Sequence, residues 1–529
     1  MQGQGRGGPK DEAEARRLYG LAAVQGDAEA QYNLALMHAD GLGGPKDEAE
    51  ARRLYGLAAV QGDAQAQCNL GFMHAQGRGG PKDEVEARRL YGLAAVQGDA
   101  QAQCNLGFMH AQGRGGPKDE VEARRLYGLA AVQGDAQAQC NLGFMHRVGR
   151  GGPKDEAEAR RLYGLAAVQG DAQAQCNLGF MHAQGRGGPK DEVEARRLYG
   201  LAAVQDVAQA QCNLGFMHAQ GRGGPKDEVE ARRLYGLAAV QGDAQAQCNL
   251  ALMHEDGLGG PKDEAEARRL YGLAAVQGDA EAQYNLAFMH RVGRGGPKDE
   301  AEARRLYGLA AVQGDAEAQY NLALMHADGL GGPKDEAEAR RLYGLAAVQG
   351  DAQAQCNLGF MHAQGRGGPK DEVEARRLYG LAAVQGVAQA QCNLALMHED
   401  GLGGPKDEAE ARRLYGLAAA QGDAQAQCNL GLMHAQGRGG PKDEVEARRL
   451  YGLAAVQDVA QAQYNLALMH GDGRGGPKDE AEARRLYGLA AAHGHAKAQC
   501  VLAVLHADGS DGPKDEAEAR TVGASERRQ

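Results

Sequence analysis

Apolar residues along the chain fall at i, i+3, i+4, i+7 and i+8 in short stretches separated by glycine-rich breaks. Ala15, Leu18, Tyr19, Ala22 and Ala23 form one such stripe, which predicts an amphipathic helix. Asp11 followed three residues on by Glu14 is a capping-box pattern, and Pro9 just upstream suits a helix entry. Glu12 with Arg16 and Glu14 with Arg17 are spaced to pair charges on the outer face. Gly26 ends this helix and Asp27 caps a second one. The second helix is predicted from about Ala28 to Ala39, with Ala30, Leu34 and Met37 on its inner stripe. Gly41, Gly43 and Gly44 then break the chain before Pro45. Gly20 sits mid-helix, where it costs about 1 kcal/mol against alanine. Close backbone packing is the expected offset.

The pattern repeats without insertion or deletion. All fifteen prolines lie on one ladder, Pro9, Pro45, Pro81, Pro117 and onward to Pro513, in steps of 36 residues. The expected organisation is a partial repeat end at 1–8, fourteen repeats forming one solenoid over 9–512, and a truncated fifteenth repeat with a disordered tail at 513–529. Neither helix of a unit buries its stripe alone; stacking on neighbours does. The fold class is therefore all-α, an α-α solenoid. The copies are nearly identical, which reads as recent duplication, so their sameness says nothing about functional constraint.

Composition agrees with an array. The 529 residues include Gly 80 and Pro 15 but Trp 0 and Phe 7, too little aromatic bulk for a compact enzyme of this length. The net charge of −11 is spread along the chain. It leaves no basic stripe for nucleic-acid phosphates. No run approaches the ~18 apolar residues of a membrane span. The segment Met1-Gln2-Gly3-Gln4-Gly5-Arg6-Gly7-Gly8 has no apolar core and does not read as a secretory signal.

These residues resemble the Sel-1-like repeat family, a subclass of tetratricopeptide-like helical repeats. The resemblance spans roughly Gly3 to Ala519. It rests on Ala28 to Ala35 (AEAQYNLA), Met37, the Gly41 to Gly44 turn, Ala13 to Ala15, and the run through Tyr19, Ala22, Ala23 and Gly26. Leu18 and His38 depart from it, standing where Trp and Tyr are common. The resemblance implies a right-handed superhelix that scaffolds protein complexes. Roles in the family include endoplasmic-reticulum quality control and bacterial signalling or host interaction.

The copies differ mainly at the positions of residues 29, 32, 35, 36, 39 and 40, and the helical spacing of 29, 32, 36 and 39/40 places the main variation on one face of the second helix. The resemblance puts that face on the concave side. All seven Phe share one column: Phe72, Phe108, Phe144, Phe180, Phe216, Phe288 and Phe360, with Leu36 at the same position in the first repeat. The neighbouring column holds Tyr32 and the ten Cys, among them Cys68, Cys104, Cys140, Cys176 and Cys212. Glu29, Gln65, Gln101, Gln76, Arg147 and Arg291 edge the face. The expectation is a groove of alternating Phe or Leu and Cys or Tyr that takes an extended peptide or an amphipathic helix. Simple packing against the adjacent repeat is the alternative for any one of these side chains.

Other chemistry reads poorly. The cysteines occur once per repeat, and stacked helices lie ~8–10 Å apart, beyond the ~7 Å reach of a disulfide. Half-buried reduced thiols are expected, which points to a cytoplasmic or other reducing compartment. Fourteen His recur at the His38 position through His506. At that spacing they supply no tetrahedral zinc set, so helix-end side chains near the terminal carbonyls are expected, and no metal. His493 and His495 with Cys500 are the one suggestive cluster, though His495 stands at the capping position. The loop Gly77 to Lys82 lacks the ending of a phosphate cradle. No catalytic motif appears and no cofactor is expected.

Met1 aligns with the Met37 position and the last unit loses its Leu-Tyr pair after Arg520, so the chain is expected to be a piece of a longer protein. The leading expectation is a scaffold for proteins or peptides, not an enzyme. An adaptor in membrane-associated protein degradation comes next. A hydrolase like that proposed for cysteine-rich bacterial relatives would need paired cysteines. A repeat expansion without selected function is the remaining reading.

Overall fold

The computed structural model describes residues 11–508. The expected partial unit at 1–8 and truncated unit at 513–529 lie outside them. The described residues form 28 helices, nearly all of 13 residues, and no strand. They divide into two compact units, Met1–Asp263 and Glu264–Gln529. Within each unit, antiparallel helix pairs stack in chain order as an α-α solenoid. No described helix is long and apolar enough to cross a membrane.

The second repeat shows why these residues make these helices. Asp47 accepts from the Glu50 N–H at 2.9 Å and starts the helix Glu48–Val60. Gly62, at φ 94, turns the chain. Asp63 accepts from the Ala66 N–H at 2.7 Å and starts the helix Ala64–Gln76. Gly77 ends it in the left-handed region at φ 73, with the Arg78 N–H bonded to the Met73 carbonyl at 2.9 Å. Gly79 follows at φ 63, where a Cβ would overlap the Glu48 carbonyl oxygen, so the turn accepts no side chain there. The inner stripes bury as predicted: Ala51, Leu54, Tyr55 and Ala58 pack with Ala66, Leu70 and Met73.

Three details differ from the sequence reading. Glu50 chelates Arg53 at 2.8 and 2.6 Å, as the Glu14–Arg17 spacing predicts. The Glu12–Arg16 type of pair is replaced, because the Arg16 guanidinium turns inward to His38 and to the Pro45 carbonyl. Nothing lies within 4 Å of a Cβ built on Gly20, Gly56 or their counterparts, so close packing does not account for the mid-helix glycine. Two repeats replace the Gly-Asp turn by Asp-Val: Asp206 and Asp458 take positive φ, and Val207 and Val459 cap without a side-chain bond.

Candidate pocket ladder on the second-helix face

Within each unit the variable face presents small pockets between successive second helices. The pocket between Phe108 and Phe144 has a volume of about 190 Å³ and is lined by Ala111, Gln112, Glu120, Tyr127, Asn141 and Arg150. The same positions, one repeat earlier, line a pocket of about 190 Å³ between Phe72 and Phe108, with Gln76 on its rim. In the second unit, pockets of about 170 and 330 Å³ lie on either side of Phe360. The Phe108 ring is 41% exposed, and Phe72, Phe216 and Phe360 match it. Phe144, Phe180, Phe288 and Leu36 are part-buried at the same position. The following turn supplies an arginine to each ring: Arg78 lies 5.3 Å from the Phe72 centroid and Arg114 5.3 Å from that of Phe108, a cation–π contact worth about 0.5–1 kcal/mol at such exposure. Glu29, Gln65 and Gln101 are exposed at the start of the helix.

The cysteines lie beneath this face. Cys68, Cys104, Cys140, Cys176 and Cys212 are all buried, which corrects the expectation of half-buried thiols lining a groove. They occupy the second-helix position that points at the next repeat's tyrosine. Burial pushes the Cys68 thiol up to about 12, so at neutral pH it is held as the thiol and not as the nucleophilic thiolate. Cys500 alone of the ten is exposed. Where Tyr32 takes the cysteine's place, its ring is part-buried and lies 5.8 Å from that of Tyr55. Arg147 and Arg291 lie over the rings of Phe144 and Phe288, at 5.3 and 5.6 Å.

The Sel1 repeat family model matches fifteen consecutive segments, from 1–27 and 28–63 through to 496–521. The chain belongs to the Sel1 repeat family. It is similar to c5321, a protective antigen of uropathogenic Escherichia coli with an SLR fold, at 31% identity and a TM-score of 0.69 over 85% of this chain and 97% of that one. It is also similar to a Sel1 repeat protein from Oxalobacter formigenes, at 31% identity and a TM-score of 0.45, over 58% of this chain and 89% of that one. No curated protein matches the sequence. Sel1 repeats are, in general, protein-interaction scaffolds.

Two features of this Sel1 array carried no functional reading in the sequence. The first is a buried glutamine in each second helix. Gln103 is 4% exposed, donates to the Ala95 carbonyl at 3.1 Å, and accepts from Gln133 of the next repeat at 2.8 Å. The relay recurs through each unit, for example from Gln97 to Gln67 and from Gln313 to Gln283. It ties neighbouring repeats in register by a polar bond inside an apolar stack. The only signal was a polar residue, unchanged between Ala30 and the Tyr/Cys column, on an otherwise apolar stripe. Replacing Gln103 with Leu removes its bond to the Ala95 carbonyl, which keeps the Gly98 N–H, and its bond from the exposed Gln133, at a cost of about 0.5–1.5 kcal/mol for each bond lost. A urea titration checks this; an unchanged midpoint refutes it.

The second is the histidine column. Arg52 Nη2 lies 2.9 Å from His74 Nδ1 and 3.2 Å from the Pro81 carbonyl, while Nη1 donates to the Arg78 carbonyl at 3.2 Å. Arginine only donates, so His74 accepts and is neutral. The arginine thus ties the end of the second helix and the Gly-Gly-Pro turn to the first helix. This replaces the expected role of the histidine beside its own helix carbonyls. His495 stands in for the capping aspartate, accepting from the Ala498 N–H at 3.1 Å, and stacks on Tyr464 at 4.5 Å. His493 takes the glutamine's place in the relay, 3.0 Å from Gln463. Among the described residues no three His, Cys, Asp or Glu side chains converge as metal ligands.

Proposed function

We propose that this Sel1 array is a protein-binding scaffold that holds peptide segments along its second-helix face, and that it performs no catalysis of its own. The pocket between Phe side chains of consecutive repeats supports this reading most directly. Phe108 and Phe144 stand on opposite walls of one pocket, over Tyr127 and beside Glu120 and Arg150. An apolar wall with a few polar groups at the rim is the composition of a side-chain receptor. The ladder repeats, so a partner gains affinity by engaging several weak sites at once. Recurrence also argues against catalysis: the carboxylates and histidines recur from repeat to repeat, and no repeat brings an acid, a base and a nucleophile together.

The Phe108→Ala, Phe144→Ala double variant tests the reading. Truncating two apolar anchors weakens a partner by about tenfold or more. A quantitative pull-down should lose proteins that the unsubstituted chain retains, at equal helicity by circular dichroism. Retention of the same proteins in the same amounts refutes the groove.

A further inference from the structure

The position of Ala39 holds Arg147 in the fourth repeat, Arg291 in the eighth and Glu399 in the eleventh. The eleventh repeat shows what a side chain there can reach. Glu399 accepts from the Tyr415 hydroxyl at 2.9 Å on one oxygen and from Arg438 Nη1 at 2.7 Å on the other. Arg438 also donates to Glu408 at 3.1 Å, and Lys406 lies 2.9 Å from the same carboxylate oxygen. Two cations meet two carboxylates, and the tyrosine hydroxyl is bonded.

Around Arg147 the counterparts of Tyr415, Glu408, Arg438 and Lys406 are Tyr163, Glu156, Arg186 and Lys154. Lys154 pairs with Glu156 at 2.8 Å, and Arg186 stands 4.0 Å from it. One carboxylate therefore meets three cations. The Tyr163 hydroxyl and Arg147 Nε are buried without a well-aligned hydrogen bond, although the two side chains lie against each other. Such groups are costly to leave unmatched. Arg147 and Arg150 lie 5.3 and 5.5 Å from the Phe144 centroid, so the cationic cluster adjoins the pocket that Phe144 and Arg150 line. In a chain of net charge −11, this is a local excess of positive charge on the variable face.

The cluster lacks one carboxylate, the group that the eleventh repeat draws from its own chain. We propose that the Arg147 position binds the carboxylate of an aspartate or glutamate side chain in the segment held by the groove. The proposal rests on the peptide-groove reading above. Arg147 and Arg186 offer guanidinium N–H donors to the incoming oxygens. Phe144 and Phe180 flank the aliphatic stem. The eighth repeat carries a weaker version: Arg291 Nε and the Tyr307 hydroxyl are again without a well-aligned hydrogen bond, but Leu330 stands where Arg186 does.

Two fluorescein-labelled dodecapeptides test this on the full chain by fluorescence polarisation. Both carry leucine at every third position, because three extended residues at ~3.3 Å each match the ~8–10 Å spacing of stacked helices. One has a central glutamate and the other a central glutamine. The glutamate peptide should bind about tenfold tighter, the scale of a charged hydrogen bond. Arg147→Ala should remove most of that preference, weakening the glutamate peptide far more than the glutamine peptide, and Arg147→Glu should invert it. Both substitutions introduce residues that the array already holds at this position, so the fold tolerates them. Arg291→Ala should change the preference less. Equal binding of both peptides overturns the carboxylate site and leaves the groove standing. A glutamate preference that survives Arg147→Ala combined with Arg291→Ala overturns the assignment to these arginines. Failure of both peptides to bind overturns groove and site together.

Discussion

Alanine at Gly56, Gly92, Gly128 and Gly164 together is expected to stabilise the first unit by about 3–4 kcal/mol, at about 0.8–1 kcal/mol for each helix interior. Each glycine sits in the middle of a first helix, and a Cβ built there meets nothing within 4 Å. The gain comes from the smaller conformational freedom of the unfolded chain. The sites lie one repeat apart and share no partner, so their effects add. Gly79→Ala makes the opposite case in the same array: its φ is +63 and its Cβ would overlap the Glu48 carbonyl oxygen, so it should destabilise. Guanidinium titrations of the two variants should shift in opposite directions. A loss of stability in the four-alanine variant would mean that these glycines are packed against something.

The contrast between those glycines shows where the sequence was readable. Asp11, Asp27 and Gly41 do local work, through bonds to the nearest turn of backbone, and local chemistry is written in spacing. The apolar stripes were readable for the same reason, since helical periodicity decides which side faces the core. The fate of polar side chains depended on the neighbouring repeat. Arg16 had two partners within reach, Glu12 along its own helix and His38 on the next. The part-buried histidine with the turn carbonyls won because they offer several acceptors together. Gln31 carried no reading in the sequence, because its partner, Gln61, comes from the next repeat. The variable face was visible as a set of columns, of which the phenylalanines and the Glu or Gln at the helix start reach the surface wholly or in part. The cysteine column, one turn away on the same helix, is covered by the next repeat's tyrosine. Arg147 and Glu399 differ by one letter, and only their shared tyrosine neighbour shows that the difference sets the charge of a pocket.

Acid should unfold this protein in two stages, the first belonging to the histidine column. Burial, and then the adjacent Arg52, hold His74 below its ordinary value of 6.5. The same causes act on His38, His110, His146, His182 and His218 in the first unit, and on His290, His326, His362, His398, His434 and His470 in the second. A histidine lowered on folding binds protons more readily in the unfolded chain, so stability rises with pH across that window. The contribution is complete above 6.5 and is lost as pH falls from 6.5 through the folded-state value. The carboxylates act lower. The Arg53 hydrogen bond holds Glu50 below 4.5, so its contribution is complete above 4.5 and is lost as pH falls further. Each of these histidines is part-exposed and its own effect is modest, but they recur through both units and all of them pull the same way. Melting temperatures by circular dichroism should therefore be level from pH 8 to 7, fall from about 6.5 downward, and fall again below about 4.5. Replacing His74, His110 and His146 with Gln should make the first fall shallower and leave the second. A melting temperature that stays level from pH 8 to 5, or rises, would mean that the Arg–His contacts do not hold the helices and turns together.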